Sequence, residues 1–490
     1  MALSPPPDTP TPKRGFFVNV GSLVSARAFL ALSQIFVLPI VARYVSIEDF
    51  AVMALAMTVV IFCQVLSDAG LGRSLIRSKG YDLTEWSTVF WFLVGVGLAL
   101  AAITIALSFV WAWFFDLPLL VPVMSTLAVV PLCQSISAAP NAEIERRENY
   151  TGIARIQMTT TVVSLGLAVG LALLGFGIWA LVAQQVALAA VRLLGIWRLS
   201  NFHAMRAFSA PRLKPHLKFA KDSLSVSAIL ALAEQGVVML IGKLLGNIQL
   251  GLFSMSQRFS RLPQFGLAGP MSTVVYVRMA KAQDDDARLI ALYLASVRLL
   301  GFAILPAMAT IAIAGEAIFT VFLSADWAPV APVFALSIGG LALEAVALVC
   351  LTCLFRAKGR TELNVRLALD SAGLRLALVL GGCLISLEAV ALALALWGLL
   401  IVPRGWALAR RVVPLNMGDG LAALGPALLA GGAILVLHNA FTVALTPDHW
   451  AEIGLVTLVW VTAMAGTFAV FRRPLTDAIG AFRTSAPTPQ

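Results

Sequence analysis

One apolar segment of the sequence, Leu250–Val277, carries polar side chains along what would be a single face of a helix. With spacings of i, i+3, i+4, i+7 and i+10, they are Ser254, Gln257, Arg258, Arg261 and Gln264. Lipid cannot face two guanidinium groups cheaply, so the stripe predicts a cavity wall that binds an anion. The alternative is that both arginines pair with carboxylates of a neighbouring helix and fix the packing. Pro263 and Pro270 predict a kink in the same segment, which is common beside transport sites.

Two further apolar segments repeat a polar pair at a spacing of seven residues. Arg27 and Gln34 share a face of the first segment, and Ser227 and Glu234 share a face of the seventh. Both faces are therefore expected to line one central space. Arg27 is either a second anion ligand or half of a structural ion pair. Glu234 either balances an arginine or couples transport to an ion by exchanging protons.

Other ionisable residues fall within or at the ends of apolar segments. Asp68 is a second candidate for ion coupling. Arg298 is predicted to line the substrate cavity in the second half of the chain, near Glu344. Arg366 and Asp370, four residues apart, are predicted to form an ion pair within one helix.

The composition requires a membrane around these segments. The 490 residues are 60% apolar and 12% charged, whereas soluble proteins have about 25% charged residues. Apolar runs between charged breaks predict an all-α integral membrane protein with about fourteen transmembrane helices. The five cysteines all fall in these runs. Cys350 and Cys353 have the spacing of a metal or redox motif, but no second ligand pair accompanies them, so we predict buried thiols and no metal site.

The net charge of +10 is distributed as the positive-inside rule expects. If the N-terminus is cytoplasmic, nearly all Lys and Arg outside the spans fall in the tails and in the even-numbered connectors. Only Arg43 and Lys243 fall in connectors on the other side. We therefore predict an inner-membrane protein with both termini in the cytoplasm. His203 and His216, in a basic cytoplasmic connector, are expected to be solvated.

The chain also resembles itself at an offset of roughly 200 residues, which drifts to 210 further along. Gln64 falls on Gln264, and Arg146 falls on Arg356. The repeat predicts two parallel six-helix lobes that bind substrate between them and alternate access by rocking. The predicted domains are a disordered tail (1–15), an N-lobe (16–197), a basic connector (198–221), a C-lobe (222–409), two C-terminal helices (410–471) and a second tail (472–490).

Two motifs carry a family resemblance. The run from Asp68 to Arg77, DAGLGRSLIR, resembles the end of the second helix in the polysaccharide transporter family. The run from Ile241 to Gly246, IGKLLG, followed by LGLFS from Leu250, resembles that family's junction of the seventh and eighth helices. The chain thus resembles the Wzx-type oligosaccharide flippases of the multidrug, oligosaccharidyl-lipid and polysaccharide exporter (MOP) superfamily.

The resemblance implies a V-shaped, MATE-like fold and a substrate of undecaprenyl-pyrophosphate-linked oligosaccharide. The two negative charges of a pyrophosphate would suit the arginines of the stripe. No cofactor and no catalytic residue is predicted. We expect a monomer that contacts membrane lipid and polysaccharide polymerase or export machinery, with no nucleic-acid partner. The alternatives are a multidrug or cation antiporter of the same superfamily, a flippase for a peptidoglycan lipid precursor and, less well supported, a membrane glycosyltransferase or polymerase.

Overall fold

The computed structural model describes Phe29, Ser33 and residues 37–483, apart from residues 69, 79, 446 and 447. Within this part of the chain the regular structure is helical and contains no β-strand. The predicted all-α architecture is therefore confirmed. Ten of the described helices are long and apolar enough to cross a membrane.

Four predicted spans are not among those ten helices. The first, Phe16–Ala42, begins outside the described residues. The other three are Ser223–Leu245, Leu250–Val277 and Leu363–Ser386. Each of these contains ionisable residues, which lower the mean hydropathy of a helix, and Leu250–Val277 is also interrupted after Pro263. The count of about fourteen stays a prediction.

The chain divides into two compact units, Met1–Lys243 and Leu244–Gln490. The helices of the first unit are α1 (Ile47–Asp68), α2 (Leu71–Arg77), α3 (Leu83–Phe115), α4 (Leu120–Leu127), α5 (Val129–Arg146), α6 (Tyr150–Leu173), α7 (Ile178–Leu199) and α8 (Ala210–Leu244). Helix α8 ends at the boundary and includes residues 210–221 of the predicted connector. The predicted lobe boundaries stay a prediction.

The second unit begins with a helix that is interrupted near its middle. Its helices are α9 (Asn247–Pro263), a π-helical segment (Gln264–Ala268), α10 (Gly269–Lys281), α11 (Asp286–Ile313), α12 (Gly315–Phe322), a 3₁₀ turn (Ala325–Trp327), α13 (Val330–Ala357), α14 (Thr361–Cys383), α15 (Leu387–Ala409), α16 (Met417–Leu445), α17 (His449–Val470) and α18 (Arg472–Arg483).

Small residues allow the central helices of the second unit to approach closely. A Cβ atom on Gly340 of α13 would lie 2.6 Å from the Cα of Ala395 on α15, and one on Gly398 would overlap the carbonyl of Gly340. Any larger residue at these two positions would force the helices apart. Close backbone approach of this kind is how membrane helices gain van der Waals contact without a hydrophobic driving force.

Contacts in each unit show which connectors lie at the same end of its helices. In the first unit, Arg147 after α5 donates to the carbonyl of Leu199 at the end of α7, at 3.1 Å. At the opposite end, Lys243 donates to the carbonyl of Phe114, at 2.6 Å. In the second unit, Lys358 pairs with Asp286 at 2.6 Å. This grouping follows the alternation used to count basic residues, while the side that faces the cytoplasm stays a prediction.

His216 departs from the sequence-based expectation because it is 5% exposed rather than solvated. Its Nδ1 lies 2.6 Å from Ser74 Oγ of α2, and its Nε2 lies 2.7 Å from Glu85 Oε1 of α3. Beside it, Arg212 forms an ion pair with Asp82. These contacts fasten the first turns of α8 to the start of α3. A basic composition alone could not reveal them, because they depend on which helices α8 meets.

Candidate functional site

The predicted polar stripe lies on α9 and on the π-helical segment that follows it. Gln257 is 8% exposed, and its Nε2 atom has no hydrogen-bond partner among the described residues. Arg258 and Arg261 are half-buried, and both interact with neighbouring groups. Gln257 is therefore buried within the protein, while the other members of the stripe are partly accessible.

The two prolines, which predicted a kink, coincide with an interruption of the α-helix. Helix α9 ends at Pro263, the next five residues form the π-helical segment, and Pro270 stands in the first turn of α10. Proline removes one backbone donor and clashes with the preceding turn, so the chain regains its hydrogen bonds by widening the helix. Gln264 opens this widened turn, and its carbonyl lies 3.2 Å from where a Cβ on Gly269 would be. Such segments are frequent at functional sites.

Glu234 and Arg298 are two of the other predicted site residues that the structure describes. Arg27 and Gln34 lie outside the described residues. Glu234 is half-buried on α8 and interacts with neighbouring groups. Arg298 of α11 donates to the carbonyl of Pro474 in α18, at 3.2 Å. The structure thus gives Arg298 a contact that holds the C-terminal helix, and its role towards substrate stays a prediction.

Asp68 closes the junction between α1 and α2. Its Oδ1 accepts a hydrogen bond from the Gly72 amide at 3.0 Å, and Gly70 adopts a left-handed φ of 76°. A Cβ on Gly72 would lie 3.1 Å from that same carboxylate oxygen. The family-like motif is therefore a capped turn, in which aspartate supplies the acceptor and glycine supplies the space. A role for Asp68 in ion coupling stays a prediction.

A cavity of about 320 Å³ opens within the first unit between α1, α5, α6 and α7. Its polar lining is formed by Gln64, Gln134, Asn141, Gln157, Gln185 and Arg192. Thr160 also lines it. That residue is 4% exposed, and its Oγ1 has no hydrogen-bond partner in the described part of the chain. Sequence reasoning missed this cavity.

A signal for the cavity was present in the sequence. Gln134 and Asn141 are seven residues apart on α5, as are Gln185 and Arg192 on α7. Residues at this spacing share a helical face. The seven-residue spacing that pairs Arg27 with Gln34 thus also predicts that each of these two polar pairs faces an interior space.

Acidic side chains surround the one arginine of this cavity. Asp68 and Glu145 lie within electrostatic range of the Arg192 guanidinium. Glu145 also accepts a hydrogen bond from Asn141 Nδ2 at 2.7 Å. Two carboxylates near the guanidinium weaken its attraction for an anion. The first-unit cavity therefore differs in electrostatics from the arginine stripe of α9.

A second cavity, of about 330 Å³, lies between α10 and α13 in the second unit. Glu344, Arg356 and Tyr276 are among its lining residues. The offset of 210 that relates Arg146 to Arg356 also relates Gln134 to Glu344. Gln134 and Glu344, which the predicted repeat would pair, thus each line a cavity in their own unit.

One predicted ion pair is wrong. Asp370 binds Arg404 of the neighbouring helix α15, with Arg404 Nη2 2.8 Å from Oδ2, rather than Arg366 on its own helix. The five cysteines are free and buried. Among the described residues, no three His, Cys, Asp or Glu side chains are grouped so that they could hold a metal ion.

Comparison with known proteins places these features in a family. Residues 40–332 match the family model described as polysaccharide biosynthesis protein. The succinoglycan biosynthesis transport protein ExoT of Rhizobium meliloti (strain 1021) is 27% identical over 322 residues, which are 65% of this chain and 64% of ExoT. The teichuronic acid biosynthesis protein TuaB of Bacillus subtilis (strain 168) is 23% identical over 427 residues, covering 84% of this chain and 86% of TuaB. The alignment with ExoT thus spans less than two thirds of that protein.

Solved structures give the fold. The lipid II flippase MurJ, in an inward closed conformation, superposes with a TM-score of 0.75 at 14% identity, over 94% of this chain and 100% of MurJ. An inward-facing multidrug resistance MATE family transporter of the MOP superfamily gives a TM-score of 0.59 at 15% identity, over 81% of this chain and 95% of the transporter. The chain therefore shares the all-helical fold of these transporters. Because the family model covers more than half of the sequence, the chain belongs to the family described as polysaccharide biosynthesis protein.

Proposed function

We propose that this protein is a flippase that moves undecaprenyl-pyrophosphate-linked oligosaccharide across the bacterial inner membrane for the synthesis of surface polysaccharide. Membership of the polysaccharide biosynthesis family supports the class of cargo, and the fold shared with MurJ and MATE transporters supports transport. The finer proposal concerns the charged headgroup of the substrate and the residues that would bind it.

The observation that carries the proposal is the stripe on α9. A central arginine in a membrane helix costs about 2.5–3.5 kcal/mol on insertion scales. Two arginines about one turn apart on the same face of a helix are retained only if they form interactions that lipid cannot supply. Arg258 and Arg261 lie beside the buried amide of Gln257, directly before the π-helical segment. This arrangement offers several donors to one oxyanion.

A pyrophosphate suits these donors. Each guanidinium has five N–H groups in a planar fork, so it can keep a protein partner and still donate two parallel hydrogen bonds to phosphate oxygens. Both arginines already interact with neighbouring groups, which would hold them in place before substrate arrives. We include Gln264 as a ligand from the same stripe, with Arg27 and Gln34 as further ligands from the first segment. Arg298 is retained only as a candidate.

The headgroup would cross by alternating access while the polyprenyl chain stays in lipid. Glu234 and Asp68 are the proposed groups for ion coupling, because each is a carboxylate held within the protein rather than in bulk water. We further propose that both termini are cytoplasmic and that the protein acts as a monomer. Reporter fusions at each terminus test the first point, and the mass of the detergent-solubilised protein tests the second.

Deletion of the gene in its host tests the proposal. Complete undecaprenyl-linked repeat units should accumulate, as measured by mass spectrometry, while surface polysaccharide disappears. Arg258→Ala should fail to restore the polysaccharide. Arg411→Ala, which changes an exposed arginine after α15, should restore it. Normal amounts of lipid-linked repeat units in the deletion strain would contradict the proposal, and accumulation of a peptidoglycan precursor would assign the protein to a different substrate.

A further inference from the structure

The first-unit cavity has an unusual chemical composition for a space between membrane helices. Four glutamines and one asparagine, from α1, α5, α6 and α7, converge on about 320 Å³. Pockets for small molecules have volumes of about 300–1,000 Å³. An amide presents two donors and one acceptor with two lone pairs, so this lining offers both kinds of partner at many points.

Much of this hydrogen-bonding capacity is unused. Within the described residues, the side-chain amides of Gln64, Gln157 and Gln185 make no hydrogen bond to the protein. The buried Thr160 hydroxyl has no partner there either. Gln157 is exposed and Gln64 and Gln185 are half-buried, so their amides are open to water or to a ligand. The Thr160 hydroxyl is buried, and a buried polar group without a partner costs free energy.

Charge favours a neutral ligand over an anion here. Among the described residues that line the cavity, Arg192 supplies the one guanidinium, and Asp68 and Glu145 lie within electrostatic range of it. A phosphate would therefore gain little here compared with the stripe of α9. A neutral ligand that both donates and accepts hydrogen bonds matches the lining better, and a sugar ring bearing several hydroxyls is such a ligand.

The position of the cavity agrees with this chemistry. It lies towards the end of the first unit where α5 and α7 finish and α6 begins, since Asn141, Ile153 and Ile196 all line it. The basic connectors occupy that same end, so the orientation proposed above places it at the cytoplasmic side. A finished repeat unit would meet this end first.

We infer that the cavity is a saccharide site, which binds the hydroxyls of the oligosaccharide while the arginines of α9 bind the pyrophosphate. The inference rests on the proposed function and deepens it by dividing recognition of the substrate between two chemically different sites. Sugar recognition would then depend on the amides of the first unit, and recognition of the carrier would not.

The experiment compares two probes with the full-length protein in lipid nanodiscs. The probes are undecaprenyl pyrophosphate and the undecaprenyl-pyrophosphate-linked oligosaccharide extracted from the host, and affinities are read by native mass spectrometry. The test variant is Gln157→Met/Gln185→Met, which keeps side-chain size but removes two amides. The control, Gln283→Met, changes an exposed glutamine in the turn between α10 and α11. Thr160→Val provides a milder change, since it removes only the unpartnered hydroxyl.

The wild type should bind the glycosylated lipid more tightly than the bare carrier. The double variant should lose about tenfold of its affinity for the glycosylated lipid, since two hydrogen bonds are lost, with affinity for the bare carrier unchanged. Thr160→Val should lose about threefold. The saccharide site is overturned if both variants keep the wild-type preference for the glycosylated lipid. It is also overturned if the variants lose affinity for both lipids equally. Failure of the wild type to bind either lipid overturns the proposed function itself.

Discussion

Replacing the buried amide of Gln257 should make the protein more stable and less able to bind its substrate. The side chain is 8% exposed, and its Nε2 atom has no acceptor among the described residues. A buried donor left without a partner costs about 1–3 kcal/mol. Methionine has a similar length and no donor, so Gln257→Met should recover most of that cost.

The size of the effect follows from how melting temperature scales with stability. For domains of about 150–250 residues, 1 kcal/mol corresponds to about 2–4 °C, so Gln257→Met should raise the melting temperature by about 2–10 °C. Tryptophan fluorescence of the detergent-solubilised protein measures this. Affinity for undecaprenyl pyrophosphate in nanodiscs should fall by about fivefold to tenfold, because a donor of the headgroup site is lost.

Gln283→Met is the matched control, since it makes the same change at an exposed position and should alter neither quantity. The reasoning is refuted if Gln257→Met lowers the melting temperature, because the amide would then be making a stabilising contact. It is equally refuted if affinity for the carrier does not change, because the amide would then have no part in binding.

Three further predictions concern the contacts that hold the helices. Glu143→Ala should lower the melting temperature in detergent, because it removes the carboxylate 2.7 Å from Arg147 and the acceptor of the Ser200 hydroxyl, at a cost of about 1–3 kcal/mol. Asp370→Ala should reduce the yield of folded protein in size-exclusion chromatography, and exchanging Asp370 and Arg404 should restore it. Burial raises the pKa of Tyr81 to about 12, so its neutral phenol stabilises the fold below pH 10 and this contribution is lost as the pH rises towards 12. The melting temperature of wild type should therefore fall more steeply than that of Tyr81→Phe over this interval.

Each of these has an opposing result. Glu362→Ala removes an exposed partner of Arg360 and should leave the melting temperature unchanged. If Glu143→Ala lowers the melting temperature no more than Glu362→Ala does, the buried carboxylate has no special role. Failure of the charge exchange to rescue folding would mean that Asp370 acts through some other contact. Parallel pH profiles for wild type and Tyr81→Phe would show that the phenol ionises freely.

Features set by local chain geometry could be predicted from the sequence. Pro263 and Pro270 predicted the break in the eighth segment, because a missing amide disrupts any helix wherever it lies. The resemblance motif around Asp68 corresponds to a capped turn, whose donor and acceptor are four residues apart. The polar stripe of α9 followed from helical periodicity alone, and the burial of Gln257 agrees with it.

Features set by the meeting of distant helices could not be predicted. Asp370 pairs with Arg404 rather than with Arg366 because a neighbouring helix brings a guanidinium within 2.8 Å. The i, i+4 spacing within one helix carries no information about other helices. His216 is buried for the same reason, through contacts with α2 and α3. The amides of the first-unit cavity lie on four helices, so only the packing of those helices could show that they converge.

The central claim is that this chain moves lipid-linked oligosaccharide from one leaflet to the other. The most direct measurement reconstitutes the protein in liposomes that contain the host's undecaprenyl-pyrophosphate-linked oligosaccharide, and uses a membrane-impermeant glycosidase to follow the fraction of substrate exposed on the outside. Wild-type protein should make nearly all of the substrate accessible over time, while protein-free liposomes and Arg258→Ala/Arg261→Ala should stop at the outer-leaflet fraction. Equal accessibility with and without wild-type protein would contradict the account.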